Sequence, residues 1–205
     1  MPADVYSPAQ LLQHYRNVRR EMSVTEFFRK PGLARLREMW CAAHFGAAFD
    51  RHLVASEIAI DEVDVQDDVD FELLANGRRF PFQVAEVMEP GRRRSDEYKS
   101  FTPGATRLED WSQGTLMGPQ WVREAIESKL QKNYSRTSAL SLLLYLNFPA
   151  YEQSYADIRA ECLPMLGQFS SIWLLTGNAV ACLQPNLELP CFEGWMEIAE
   201  SLSND

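Results

Sequence analysis

The feature that most constrains this chain is the stretch from Val69 to Met88, which has the pattern of a β-hairpin. Asn76-Gly77 lies at its centre, and Asn-Gly is typical of a type I′ turn, in which both central residues need a positive φ. A two-residue turn also fixes the register of the strands that it joins. One face of the hairpin is then wholly apolar, with Phe71 opposite Phe82, so this face is predicted to be core.

The other face of the hairpin is polar at its open end. Because side chains alternate along a strand, Asp70 is expected to lie opposite Gln83, and Asp68 to lie opposite Ala85. This face therefore carries two aspartates and a cross-strand amide. Two interpretations are open at this point, a site of chemistry and a merely solvated face.

The rest of the chain alternates between helical and strand patterns. Residues 1–30 are interpreted as a helical extension, and no linker divides the 205 residues, so a single α/β domain over residues 1–205 with a mixed sheet flanked by helices is predicted. Apolar spacing predicts helices at Leu33–Leu53, Pro119–Tyr134, Tyr151–Gly167 and Phe192–Leu202, and strands at Glu57–Val65, Leu140–Asn147, Ser171–Thr176 and Ala179–Gln184.

A segment rich in charge, glycine and proline follows the hairpin. Residues 89–118 contain two Pro-Gly pairs and are predicted to be one long loop, a kind of segment that is usually functional or disordered. Three consecutive arginines, Arg92, Arg93 and Arg94, lie in it. They would either hold the phosphates of a ligand or simply be solvated cations in an acidic chain.

Composition and charge limit the classes of function. The net charge of −9 argues against nonspecific coating of nucleic acid, although a local basic site is compatible with it. No apolar run is long enough to span a membrane, and no signal peptide is visible. The cysteines (Cys41, Cys162, Cys182 and Cys191) form no C-x-x-C motif and are predicted to be buried free thiols in a reducing cytosol, which makes a cytoplasmic location the expectation.

The order of elements, with an acidic residue opening the second strand, resembles the PD-(D/E)XK nuclease superfamily over about residues 33 to 147. The resemblance implies a restriction-endonuclease-like αβββαβ core, here with an added C-terminal hairpin and helix. It also implies that Asp70 is the metal-binding aspartate and that Gln83 stands at the Glu/Gln position. The chain would be a divergent member, because Ala85 stands where the family has its lysine.

Two further residues have open interpretations within this resemblance. Lys129 lies on the apolar side of a predicted helix, where it would either supply the missing catalytic ammonium or extend along the surface to solvent. Glu86 shares a strand face with core residues. Either the strand ends before Glu86 and leaves it solvated, or a bulge turns it toward Asp70.

The resemblance implies a function in two versions. The first is a metal-dependent nuclease that hydrolyses DNA or RNA, with Asp70, Gln83 and Glu86 holding a weakly bound Mg²⁺ or Mn²⁺ and Lys129 assisting. The second is a catalytically inactive nuclease-like fold that binds nucleic acid or protein. Arg92, Arg93 and Arg94 would contact the substrate in the first version. The sequence predicts no membrane partner and no particular oligomeric state.

Overall fold

The computed structural model describes residues 4–22, 34–61, 68–91, 111–132, 137–148 and 155–198. Within these residues the chain is a mixed α/β protein with eight strands and four α-helices. In chain order they are β1 (Asp4–Tyr6), α1 (Pro8–Arg20), α2 (Ala34–His52), β2 (Ser56–Ile60), β3 (Phe71–Ala75), β4 (Arg78–Val87), α3 (Trp111–Leu130), β5 (Ser141–Leu146), α4 (Tyr155–Cys162), β6 (Ser171–Leu175), β7 (Ala179–Gln184) and β8 (Trp195–Glu197).

All eight strands belong to one mixed sheet, and their order in space is their order in the chain. Strands β1 to β4 are antiparallel neighbours, β4, β5 and β6 are parallel, and β6 to β8 are again antiparallel. The connection from β4 to β5 contains α3, and the connection from β5 to β6 contains α4. Crossovers between parallel strands are right-handed, so two successive steps in the same direction leave both helices on the same face of the sheet.

The hairpin has the predicted turn and register. Asn76 and Gly77 have φ values of 52° and 72°, as a type I′ turn requires. Phe71 pairs with Phe82, and the alternation continues to the turn. The two phenyl rings are stacked with their centroids 4.9 Å apart. The register prediction is therefore confirmed for the residues of the ladder.

Two separate cores cover the two faces of the sheet. The first contains side chains of α1 and α2 together with Phe71, Phe82 and Trp173. The second contains Trp121, Val122 and Ile126 of α3 and side chains of α4. The apolar strand β5 contributes to both, since Leu143 faces the first core and its neighbours face the second. Its position between β4 and β6 confirms the prediction of a central strand covered on both faces.

Several predicted elements are wrong in detail. The closing helix at Phe192–Leu202 is wrong over its described part, where Trp195–Glu197 forms β8 on the edge of β7. Helix α3 begins at Trp111, so Pro119 is internal and the predicted loop ends earlier than residue 118. Residues 92–110 of that loop, including Arg92, Arg93 and Arg94, lie outside the described residues.

The structure also bears on the predictions about membrane-spanning segments and about the cysteines. Across the described helices, none combines the length and the apolar character needed to cross a membrane. Cys191 is exposed, so the prediction that every cysteine is buried is wrong for that residue. The predictions of a single domain and of a cytoplasmic location stay predictions.

Candidate functional site

The candidate site lies at the first residue of β3, where the neighbouring strand β4 extends beyond the end of their ladder. The β3–β4 ladder starts at Phe71, whereas β4 runs on for five residues past Phe82, the partner of Phe71. Beyond that point β3 offers no ladder partner to the main-chain groups on that edge of β4. Buried main-chain polar groups need partners, so side chains must replace the missing strand.

Asp70 and Lys129 supply these partners. The amide of Val84 donates a hydrogen bond to Asp70 Oδ2 at 2.6 Å, and Lys129 Nζ donates to the carbonyl oxygen of Val84 at 3.3 Å. The main-chain amide of Asp70 donates to the carbonyl oxygen of Phe82 at 2.8 Å. An anionic and a cationic side chain therefore bind the two polar groups of one residue, on the strand that the sequence singled out.

Burial shifts the proton equilibria of both side chains. The pKa of Asp70 is raised to about 6, first because the carboxyl is removed from water and next because Glu38 is near it. The Val84 amide, Lys129 and Arg35 act in the opposite direction. Burial lowers the pKa of Lys129, with a further lowering from Lys132, while Asp70 and Glu38 oppose this.

Two residues of α2 complete the surroundings of Asp70. Arg35 is buried, and its guanidinium donates to the carbonyl oxygens of Asp61 at 2.5 Å and of Asp70 at 2.6 Å. It also pairs with Glu38 at 2.9 Å. Arg35 thus joins α2 to the segments that follow β2 and precede β3, and it holds the carboxylate of Glu38 in place.

Sequence reasoning missed both of these α2 residues. The available signal was a pair of opposite charges, Arg35 and Glu38, three residues apart near the start of a helix whose central part is mostly apolar. Residues at this spacing are neighbours on a helix surface. That signal indicates an ion pair but does not indicate what the pair contacts.

Gln83 lies on the sheet face that α3 covers, the same face as Ala85 and Val87. Its side chain is 8% exposed, and within the described part of the chain Oε1 has no hydrogen-bond partner. An unpaired buried acceptor costs about 1–3 kcal/mol. Asp70 bonds to Phe82 and Val84, the residues on either side of Gln83, so the unpaired oxygen belongs to the same part of the sheet edge.

Glu86 lies apart from Asp70 and Gln83, and both interpretations of it from the sequence are wrong. Strand β4 neither ends before Glu86 nor bulges there, because its pairing with β5 is continuous from Phe82 to Val87. Glu86 therefore faces α2, on the opposite side of the sheet from Gln83. There it pairs with Arg37 at 2.9 Å and accepts a hydrogen bond from Asn147 Nδ2 at 2.9 Å.

This separation bears on the predicted metal ligands. Asp70, Gln83 and Glu86 do not converge on one point, because Gln83 and Glu86 lie on opposite faces of the sheet. In the part of the chain that the structure describes, no three His, Cys, Asp or Glu side chains form a group able to hold a metal ion. The predicted ligand set therefore does not fit Mg²⁺ or Mn²⁺. Binding of either ion to Asp70 stays a prediction.

A small cavity lies between α2 and the sheet, beside Val84. Its volume is about 90 Å³, enough for a few water molecules or one small polar group. Two residues connect it with the surroundings of Asp70, since Val84 and Glu38 line it whereas Asp70 itself does not. The lining residues are Arg37, Glu38, Cys41, Val84, Glu86 and Tyr145.

We define the Asp70 cluster as Asp70, Lys129, Glu38 and Gln83. It contains two carboxylates, one ammonium and one unpaired amide oxygen, at an edge of the sheet that both helical layers approach. A carboxyl with a pKa near 6 can give or accept a proton near neutral pH. The arrangement can therefore exchange a proton with a bound group that donates hydrogen bonds.

Comparison with known proteins gives a sparse result. No protein-family model and no curated protein matches this sequence. One solved structure with a similar chain is a protein of unknown function from Pseudomonas aeruginosa strain PAO1, described as a member of the monooxygenase superfamily. It is 14% identical, 96% of each chain is covered, and the TM-score is 0.47. A likeness at this level assigns no activity to the present chain.

These comparisons overturn the predicted family and function. The solved structure is described as a monooxygenase-superfamily protein and not as a PD-(D/E)XK nuclease. The mixed α/β sheet is observed, but the predicted restriction-endonuclease-like fold is not confirmed. Neither version of the predicted function, the nuclease or the inactive binding module, has support. Among the described residues, no group of His, Cys, Asp or Glu side chains supports the metal-dependent hydrolysis that was predicted.

Proposed function

We propose that the Asp70 cluster is an acid–base centre that binds a small hydrogen-bond donor and exchanges a proton with it through Asp70. The observation that carries the proposal is the pair of bonds from Asp70 and Lys129 to the same residue, Val84. These bonds hold a carboxyl and an ammonium in fixed positions at a partly buried edge. Fixed geometry and a pKa near the working pH are what general acid–base chemistry needs.

The chemistry of the ligand follows from the acceptors that the cluster offers. Gln83 Oε1 is a buried acceptor without a partner among the described residues, and Glu38 and Asp70 provide carboxylate oxygens. A ligand with N–H groups, such as an amide, an amine or a guanidinium, can donate to Asp70 and to the acceptor on the side from which it approaches, Gln83 on the α3 side of the sheet or Glu38 on the α2 side. A carboxylate ligand would instead meet Glu38 and Asp70 as a like charge.

On the α2 side, the size of the cavity that Glu38 and Val84 line limits the part of the ligand that enters. Pockets for drug-sized molecules have volumes of about 300–1,000 Å³, whereas this cavity has about 90 Å³. Only a small molecule, or one terminal group of a larger one, is accommodated. For a ligand of about five heavy atoms, the best efficiency of about 1.5 kcal/mol per atom gives a dissociation constant of about 3 μM, whereas about 0.3 kcal/mol per atom gives tens of millimolar, so the test must reach that range.

The test is a nuclear magnetic resonance titration of the isotope-labelled protein with methylguanidinium, acetamide and acetate, at pH 5 and pH 8. We expect the two donors to shift the signals of the Val84 amide and the Gln83 side chain, and acetate at pH 8 to leave them unchanged. In Asp70→Asn the response to methylguanidinium should no longer depend on pH. Glu72→Gln is the matched control, because Glu72 is a carboxylate on the adjacent strand that pairs with Arg79.

Two results would count against the proposal. One is the absence of any response of Val84 and Gln83 to either donor at tens of millimolar. The other is a pH dependence that survives in Asp70→Asn. A parallel titration with Mn²⁺ checks the separate prediction of metal binding, since a paramagnetic ion at Asp70 broadens the same signals.

A further inference from the structure

The amino group of Lys129 is held on the edge of β4 beside the carboxyl group of Asp70. Lys129 Nζ donates to the carbonyl oxygen of Val84 at 3.3 Å, and the amide of Val84 donates to Asp70 Oδ2 at 2.6 Å. The N–H and C=O groups of one strand residue point to the same side of the strand, since a hydrogen-bonded pair in an antiparallel ladder uses both. The amine and the carboxyl group are therefore neighbours along one edge.

The position of Lys129 on α3 favours the uncharged amine. Lys129 follows the core residue Ile126 by three residues and is half-buried. Burial lowers the pKa of Lys129, and the charge of Lys132 lowers it further. Asp70 and Glu38 act in the opposite direction. A lysine removed from water in this way is a better nucleophile near neutral pH than a solvated one, because only the uncharged amine has a free electron pair.

The residue before Val84 carries an unpaired acceptor. Gln83 lies on the sheet face that α3 covers, and its Oε1 is buried with no hydrogen-bond partner in the described part of the chain. An aldehyde or ketone group has no donor for this oxygen, but the carbinolamine that forms when an amine adds to it has a hydroxyl group. A hydrogen bond made only after the addition stabilises the adduct and the transition state that resembles it, and not the reactants.

We propose that Lys129 is a nucleophilic lysine that condenses with a small, uncharged aldehyde or ketone, and that Asp70 is the acid of this reaction. The inference rests on the proposed function, since it names a substrate class for the same acid–base centre. A carbonyl compound that carries a carboxylate fits less well, because it would meet Asp70 and Glu38 as a like charge.

The reaction has two steps, in which Asp70 moves the protons. In the first step, the electron pair of Lys129 Nζ forms a bond to the carbonyl carbon, the Asp70 carboxyl gives its proton to the carbonyl oxygen, and the resulting carboxylate takes a proton from the nitrogen. In the second step, Asp70 gives this proton to the hydroxyl group, and water leaves as the C=N bond forms. The products are a protonated imine of Lys129, one water molecule and the Asp70 carboxylate.

The experiment exposes the full chain at pH 6 to acetaldehyde and sodium cyanoborohydride, which reduces an imine to a stable ethylated lysine. At this pH about half of the Asp70 carboxyl groups hold a proton, since their pKa is raised to about 6. Mass spectrometry of the digested protein gives the rate at each lysine. Lys132 is the internal control, because it is exposed and lies three residues after Lys129. We expect Lys129 to react at least about tenfold faster, since a positioned acid contributes about 100-fold or more and restricted access removes part of that gain.

Variants assign the reaction to the two side chains. Asp70→Asn should lower the rate at Lys129 at least about tenfold and leave the rate at Lys132 unchanged. Lys129→Arg should remove the label from this position alone. Glu72→Gln should react like wild type, because Glu72 pairs with Arg79 on the adjacent strand. In wild type unfolded by urea, Lys129 and Lys132 should react equally.

Two results would overturn the proposal. One is an equal rate at Lys129 and Lys132 in folded wild type, a comparison that needs no variant. The other is a preference for Lys129 that persists undiminished in Asp70→Asn. If Val84 and Gln83 still respond to methylguanidinium in either case, imine formation alone is rejected and the acid–base centre stands. If that response is absent as well, the proposed function itself fails.

Discussion

Replacing Asp70 by Asn separates the structural role of this side chain from its charge. The asparagine oxygen can still accept the hydrogen bond from the Val84 amide, which is 2.6 Å from Asp70 Oδ2 in the wild type. It cannot ionise. Any difference in the pH dependence of stability between the two proteins therefore reports the ionisation of Asp70.

The sign and size of the effect follow from the shift in the pKa. The pKa of Asp70 rises from 3.8 to about 6 on folding, so the folded state holds the proton more tightly than the unfolded state does. The resulting stability is fully present below about pH 4 and is lost as the pH rises through about 6. A shift of about two pH units corresponds to about 3 kcal/mol. Above pH 7, Asp70→Asn should therefore be more stable than wild type by up to about 3 kcal/mol.

The assay is urea unfolding of wild type and Asp70→Asn at intervals from pH 4 to pH 8. We expect the difference in the free energy of unfolding to change in favour of the variant as the pH rises, mostly between pH 4 and pH 6. Taking the difference between the proteins removes the titration of the other carboxyl groups, provided that the sites do not couple. A difference that is constant with pH would refute the assignment of a raised pKa to Asp70.

Three further predictions concern the charge beside Asp70 and the packing around the sheet. Lys129→Met should raise the pKa of Asp70 above about 6, because the ammonium of Lys129 lowers it. The chemical shift of the Asp70 carboxyl carbon, followed against pH, measures this pKa, and an unchanged value would contradict the prediction. Phe82→Ala should lower the free energy of unfolding by about 3–5 kcal/mol, because Phe82 is fully buried; a loss below about 1 kcal/mol in urea unfolding would contradict the packing. Gly46→Ala should destabilise the protein by about 1–3 kcal/mol despite the better helix propensity of alanine, because the added Cβ would lie 2.9 Å both from Ile58 Cδ1 and from Cγ of the rigid Pro8 ring. Thermal unfolding at a higher midpoint than wild type would contradict this.

The hairpin could be predicted because its determinants are local. Asn76 and Gly77 select the turn, and the turn fixes which residues face each other without reference to the rest of the chain. Strand β5 was predictable for a similar reason, since an unbroken apolar run of strand length fits only a position covered on both faces. In both cases the pattern of a few neighbouring residues leaves a single arrangement.

Elements that depend on distant partners could not be predicted. The spacing of Trp195, Met196 and Ile198 fits a short helix or a short strand, and the free edge of β7 decides between them. Strand β1 has three residues, too few to show a period, and it forms because β2 offers an edge. Pro119 is typical of a first helical turn, but here the helix extends eight residues before it.

The Asp70 cluster shows the same division between local and distant determinants. Asp70, Gln83 and Lys129 were selected from strand alternation and from an unexpected charge on an apolar helix face. Arg35 and Glu38 were missed, because the hydrogen bond from Arg35 and the charge of Glu38 reach Asp70 from α2, which is distant in the sequence. Alternation also implied that Glu86 faces the core side. The prediction for Glu86 was wrong because it allowed a bulge in β4 to turn this side chain away from the face that alternation gives it.

The unequal lengths of β3 and β4 connect the stability of the fold with the chemistry of the cluster. Strand β4 has ten residues and β3 has five, so part of the β4 edge needs partners from elsewhere. An apolar residue at position 70 would leave the Val84 amide unpaired, whereas an aspartate satisfies it but is costly to ionise there. The neutral amide of asparagine would satisfy the edge without that cost. An aspartate is therefore more than the edge requires, and its extra property is that it can gain and lose a proton. If Asp70→Asn removes one pH-dependent component of the free energy of unfolding and also the pH dependence of ligand binding, a single proton accounts for both.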